Sequence, residues 1–187
     1  MQISSMVVNE TSAVISVNGE IDEDFITVLV SEFSKYGKMT SVTDITLILS
    51  SGGGSIGQVH KIADIFKPMG LKRVVGISCA CSAAVYLGLI CKSKGIEYYI
   101  DPLSYVMVHK IQFHPQEYHV NQMEQFCQNH AKKVDEGYFS YINEILKKMP
   151  TKLKRHYNNG SDVHIMGQDL IDYGVATEFT SLEDIIT

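Results

Sequence analysis

The run Gly76-Ile77-Ser78-Cys79-Ala80-Cys81-Ser82-Ala83-Ala84-Val85-Tyr86-Leu87-Gly88-Leu89-Ile90 constrains this chain more than any other segment. Arg73–Ile77 reads as an apolar strand, small residues follow, and an apolar helix begins after Ser82. A strand feeding a helix through a tight turn belongs to an α/β protein whose sheet and helices share a core. It also sets a hydroxyl beside the unpaired N–H groups of a helix start, which favour negative charge. A serine that attacks a carbonyl needs that setting, because the attack leaves charge on oxygen.

The remaining pattern alternates strand and helix. Ala13–Val17 reads as a strand, and Asp22 caps a helix to about Tyr36 with Phe25, Leu29 and Phe33 on one face and Gly37 at its end. Asp44–Leu49 reads as a buried strand broken by Ser50-Ser51-Gly52-Gly53-Gly54-Ser55, and a helix from about Gly57 to Phe66 follows. Ile96–Ile100 and Tyr105–His109 are strands around the turn at Asp101-Pro102. A long helix is predicted over about 120–148, where Met123, Phe126, His130, Val134, Tyr138, Ile142 and Ile145 recur near helical spacing. That stripe fits either a protruding helix or ordinary core. Gly167–Tyr173 is a short helix and Gly174–Phe179 a closing strand. No repeat or linker interrupts the pattern, and 187 residues suit one domain, 1–187.

Charge and composition narrow the partners. The formal net charge is −5 with no Lys/Arg stripe, which argues against nucleic acid. The longest apolar stretch, Ala80–Cys91, is too short to span a bilayer, and Met1–Glu10 lacks the basic-then-apolar pattern of a secretion signal. Cys79, Cys81, Cys91 and Cys127 read as free thiols, so the expected location is cytoplasmic. A lone Cys-x-Cys pair, and His114, His119 and His130, match no tight metal motif, so no metal is expected.

Three residues could form a catalytic set: Ser82 at the helix start, His109 at a strand end, and Asp162 in the polar loop Asn158-Asn159-Gly160-Ser161-Asp162 ahead of another helix. A neutral imidazole can take the serine proton, and a carboxylate on the other ring nitrogen fixes the tautomer. Residue types alone favour a capping serine and a packed histidine over the triad. Gly52-Gly53-Gly54 is either a flexible turn or a loop whose backbone approaches a ligand closely; the pattern of a phosphate loop is absent. Cys81 is a rival nucleophile beside Ser82, but adjacent residues at a sharp turn point in different directions. Lys92 and Lys94, the bases of an imagined serine–lysine pair, lie at the far end of the helix and read as surface lysines.

Ile48-Leu49-Ser50-Ser51-Gly52-Gly53-Gly54-Ser55-Ile56 resembles the Ile-Asn-Ser-Pro-Gly-Gly-x-Val segment of the Clp protease proteolytic subunit family. Pro102-Leu103-Ser104-Tyr105-Val106-Met107-Val108-His109 is similar to its Pro-x-Ser-x-Val-Met-Ile-His segment. Asp162-Val163-His164-Ile165-Met166-Gly167 and Tyr173-Gly174-Val175 resemble its aspartate loop and Tyr-Gly-Leu segment, and Gly19-Glu20-Ile21-Asp22 matches its Gly-Glu-Ile-Asp. Order and spacing agree from about Ile15 to Phe179.

The resemblance implies an α/β fold of the crotonase-like kind, a stack of β-β-α units with a protruding handle helix at about 120–148. It implies a serine endopeptidase acting on unfolded or extended polypeptides, with Ser82 as nucleophile, His109 as base then acid, and Asp162 as orienting carboxylate. Gly54 and Ala83 would form the oxyanion hole, and Gly53, Ser55, Ile56, Lys110 and Ile111 would line the extended peptide by strand addition. No metal or other cofactor is implied. Self-association into heptameric rings, two of which make a tetradecamer, is implied, with an AAA+ unfoldase as a further partner. The chain departs from the family pattern at Ser50 and Gly52, and Ser82-Ala83-Ala84 looks more like the phage head-maturation branch. Only eighteen residues precede Gly19, which reads as shortened axial loops and weighs against the unfoldase. The alternatives are a phage or prophage capsid-maturation protease of this fold, and a catalytically inactive ring subunit. Acyl-CoA hydratases and isomerases share the broad fold but typically use carboxylates.

Overall fold

The computed structural model describes residues 1–37, 39, 41–110 and 140–183. A β-hairpin opens the chain, β1 (Gln2–Val7) antiparallel to β2 (Ser12–Asn18). Three crossovers follow: α1 (Glu23–Gly37) to β3 (Asp44–Ser51), α2 (Ile56–Phe66) to β4 (Leu71–Cys81), and α3 (Ala83–Ser93) to β5 (Glu97–Ile100). Each links parallel neighbours, which need a crossover connection of this kind. Then come β6 (Tyr105–Val108), a helical stretch over residues 140–148 (α4), α5 (Thr151–Asn158), β7 (Val163–Met166), α6 (Gly167–Asp172) and β8 (Thr177–Glu178). The main sheet path is β1-β2-β3-β4-β5-β8, with β6 on β4 and β7 on β6. This is the α/β fold expected of a Clp-like chain.

The local reasons are those the sequence supplies. Asp22 Oδ1 accepts the Phe25 N–H at 2.7 Å and starts α1. Phe25, Leu29 and Phe33 face inward and are fully buried, each stabilising by about 1.5–3 kcal/mol. They meet α2 through Phe66, whose ring lies 4.4 Å from that of Phe33. Ala13, Ile15, Val17, Ile45, Leu47, Leu49 and Val74 supply the sheet side of this core. The opposite sheet face buries a smaller cluster of Val14, Ile48 and Val75 under Phe179 and Leu182. The buried Ile142 and Ile145 of α4 belong to the main core, so this end of the apolar stripe is intramolecular. The rest of the expected handle, with its residues from Met123 to Tyr138, lies outside the described residues, as do Cys127, His114, His119 and His130.

Three elements depart from the sequence reading. β1, β7 and α5 were not expected, and Asp162 precedes a strand, β7, with α6 following it. β4 also runs past Ile77 to Cys81. It pairs with β5 along Arg73–Gly76, then with β6 along Cys79–Cys81. Ser78, at φ +60°, marks the change of neighbour. That change of partner carries the strand's end away from β5 and into the site.

Candidate active site

The turn after β4 is strained. Ser82 sits at φ +51°, ψ −119°, a conformation uncommon for a residue with a side chain. Its N–H donates to the Met107 carbonyl at 2.7 Å, tying the turn to β6. Its carbonyl accepts from Val85 and Tyr86 and starts α3. The hydroxyl does not cap that helix. It lies 2.8 Å from His109 Nε2 instead. The capping reading of Ser82 therefore gives way to a serine–histidine pair. A sharp strand-to-helix turn that lifts a serine out of the sheet is the geometry of a nucleophile elbow.

His109 follows β6 and is half-buried. Its Nδ1 faces the Lys110 carbonyl at 2.5 Å. A carbonyl only accepts, so Nδ1 carries the proton and donates it. Nε2 is then left with a lone pair, and it accepts from the Ser82 hydroxyl. This is the tautomer a general base requires. Lys110 is in turn held by its ammonium, which donates to the Asn158 carbonyl at the end of α5 (2.9 Å).

Asp162 arrives by the neighbouring strand. β7 is antiparallel to β6, with Val163 opposite Val108. One more step of that register sets position 162 opposite position 109. The Asp162 side chain is exposed, and no hydrogen bond joins it to His109 among the described residues. The carbonyl of Lys110 occupies Nδ1, a contact no sequence motif announces.

The glycine loop closes the other side. A Cβ on Gly53 (φ +110°) would stand 2.7 Å from Ser82 Cβ and 3.2 Å from the Ala83 nitrogen. A Cβ on Gly54 (φ +136°) would stand 2.4 Å from the Ile21 oxygen. Both positions require glycine, which decides for close approach over mere flexibility. Ser51, buried and not singled out in the sequence, shapes the loop: its Oγ accepts the Gly53 N–H at 3.1 Å. Ile21 pairs with Gly54, receiving the Ser55 N–H and donating to Gly53 O. The pairing with Ile21 uses the Gly53 carbonyl and the Ser55 N–H, and Gly54 between them is exposed. Ala83, the first residue of α3, has an N–H with no intrahelical acceptor. Ser55 and Ile56 lead from this loop into α2. Ile111 lies outside the described residues.

The rivals are placed elsewhere. The Cys81 side chain is buried, with its sulfur 3.4 Å from that of Cys79, and burial above all pushes its thiol up to about 12. A thiol held protonated is a poor nucleophile. Lys92 donates to the Gly174 and Val175 carbonyls, and Lys94 pairs with Asp64, both distant from the elbow. Among the described residues no three His, Cys, Asp or Glu side chains group as a metal site, and no helix is long and apolar enough to cross a membrane.

A family model described as Clp protease matches residues 1–181. No curated protein matches the chain.

Proposed function

The chain belongs to the Clp protease family, a family of peptidases, and from that premise we propose that it is a serine endopeptidase cutting extended polypeptides at Ser82. The observation that carries the reading is the 2.8 Å contact between the Ser82 hydroxyl and an imidazole whose other nitrogen is already committed to a carbonyl. As Ser82 Oγ attacks the scissile carbonyl, its proton passes to His109 Nε2. The developing oxyanion is received by the N–H groups of Gly54 and Ala83, each such donor being worth roughly 10²–10³ in rate. The imidazolium then returns its proton to the leaving amine, and water repeats the sequence on the acyl-enzyme. Asp162, set opposite His109 one register step beyond the Val163–Val108 pair, supplies negative charge toward the imidazolium, while the Lys110 carbonyl fixes the tautomer. Gly53, Ser55 and Ile56, with Lys110 and Ile111, line the substrate, which joins them as an added strand. The domain acts within a ring of its own copies in the cytoplasm, where an unfolded chain can be confined near the site. An unfoldase or a capsid precursor as the supplier of that chain are two variants of this reading.

A serine-directed fluorophosphonate tests it. The expected result is labelling at Ser82, lost in Ser82→Ala and reduced in His109→Ala. In the same variants, hydrolysis of a short fluorogenic peptide should fall by several orders of magnitude, as loss of a triad member does elsewhere (~10⁶). A wild-type protein that assembles into rings yet takes no label refutes the reading and leaves an inactive ring subunit.

A further inference from the structure

Directly before the elbow, Cys79 and Cys81 stand two residues apart on β4 with their sulfurs 3.4 Å from one another. Successive residues of a regular strand point to opposite faces, so residues i and i+2 share one face. Their side chains there normally stand apart. Here β4 is irregular: its pairing with β3 jumps from Leu49 opposite Gly76 to Ser51 opposite Ala80, and Ser78 lies at φ +60°. This irregular stretch holds the two thiols together. Cys79 is half-buried and Cys81 is covered. The third described cysteine, Cys91, lies fully buried in the core, and burial raises its thiol to about 12.

We infer that Cys79 and Cys81 form a reversible dithiol–disulfide pair that takes a small disulfide oxidant and, when closed, distorts the Ser82 elbow. The effect on Ser82 rests on the peptidase reading above; the bond itself does not. The oxidant meets Cys79 first, because Cys79 is the more accessible sulfur. The Cys79 thiol gives its proton to solvent, and its sulfur attacks one sulfur of the oxidant. The oxidant's S–S bond breaks and one thiolate leaves. Burial keeps the Cys81 thiol mostly protonated, but its sulfur stands only 3.4 Å away, so each time it loses its proton it attacks the Cys79 sulfur at high effective concentration and expels the second thiolate. Two protein thiols are thereby oxidised by two electrons. One small disulfide is reduced to two thiols, which carry the two protons.

The consequence follows from distance. Closing 3.4 Å to a disulfide's ~2.05 Å draws the sulfurs together by more than about 1 Å. Cys81 is paired with Met107 on β6, and the next N–H, that of Ser82, donates to the Met107 carbonyl. Movement at position 81 therefore reaches the bond that sets Ser82 against His109. A displacement of about 1 Å can cost on the order of 10² in rate.

The test uses the full chain treated with oxidised glutathione, with and without later dithiothreitol. Peptide mass spectrometry should show a loss of two hydrogens, with tandem spectra placing the bond between positions 79 and 81. Fluorophosphonate labelling of Ser82 should slow by about 10²-fold. Dithiothreitol should restore both, and labelling of Cys79→Ser should be indifferent to the oxidant. Cys79 and Cys81 both alkylating fully, once the oxidised protein is unfolded in denaturant, would overturn the inference. So would a closed bond that leaves labelling unchanged. If the reduced protein takes no label while the bond still forms, the peptidase reading fails and the mass still establishes the pair.

Discussion

Two single residues carry most of the discriminating power. Gly53 has a positive φ and no room for a methyl group against Ser82 and Ala83. Gly53→Ala is expected to push the elbow or the loop aside and to lower peptide hydrolysis by about 10²-fold or more. Circular dichroism should show the fold retained, since the clash is local to the loop and the elbow. Asp162→Asn offers a sharper comparison. In a triad whose carboxylate alone fixes the histidine tautomer, the corresponding change costs about 10⁴. Here the Lys110 carbonyl already holds Nδ1–H, so the asparagine variant should keep the base-competent tautomer and lose only charge stabilisation. Its kcat is expected to fall by about 10²-fold; a loss near 10⁴ would mean that the carboxylate takes over Nδ1 during turnover. The residue types at 82, 109 and 162 were readable in the sequence as a possible set. The tautomer was not, because a main-chain carbonyl has no letter of its own, and neither was Ser51, whose hydroxyl matters only once the loop is folded.

At the scale of elements, contacts across them set stability. Gly88 of α3 lies against the ring of Tyr98 in β5, where an added Cβ would stand 2.3 Å from a ring carbon. Gly88→Ala should therefore destabilise the chain by about 1–3 kcal/mol, read from denaturant midpoints. At the sheet edge, Ser5 of β1 donates to Glu32 of α1 at 2.6 Å, and Lys35 pairs with the same carboxylate. The Lys35 bond, with Ser5 next, holds the Glu32 carboxyl below its ordinary range. The unfolded chain then binds the proton more readily, so this contribution is complete above about pH 4.5 and fades as pH falls through the lower folded value. Glu32→Gln should flatten that acid limb of a stability–pH curve measured by urea unfolding. Long patterned elements were legible: α1, β3, α2 and α3 all follow apolar periodicity and a cap or glycine stop. β1 has a mostly exposed edge pattern and α5 buries only Tyr157, so neither carried a periodic signal strong enough to read, and the short alternation of β7 follows directly on a polar loop that masked its start.

For the molecule as a whole, the sheet order brings together residues far apart in the chain. β6 leaves the main path to lie on the end of β4, and β7 follows it, so the stretches ending at 82, 109 and 162 converge at one corner. The alternation of strands and helices predicted an α/β sheet; the branch at β4 was invisible because it depends on pairing, which periodicity does not encode. Native mass spectrometry is expected to report a ring assembly of identical chains, and the isolated chain, if trapped by dilution, to hydrolyse peptide more slowly. The main-chain bond from Ser82 to Met107 has a further implication for divergence. The spacing of Ser82 and His109 hangs on peptide groups that every amino acid possesses. Lining side chains can thus be exchanged to suit a different diet of polypeptides, while the distance between hydroxyl and imidazole stays where the backbone keeps it.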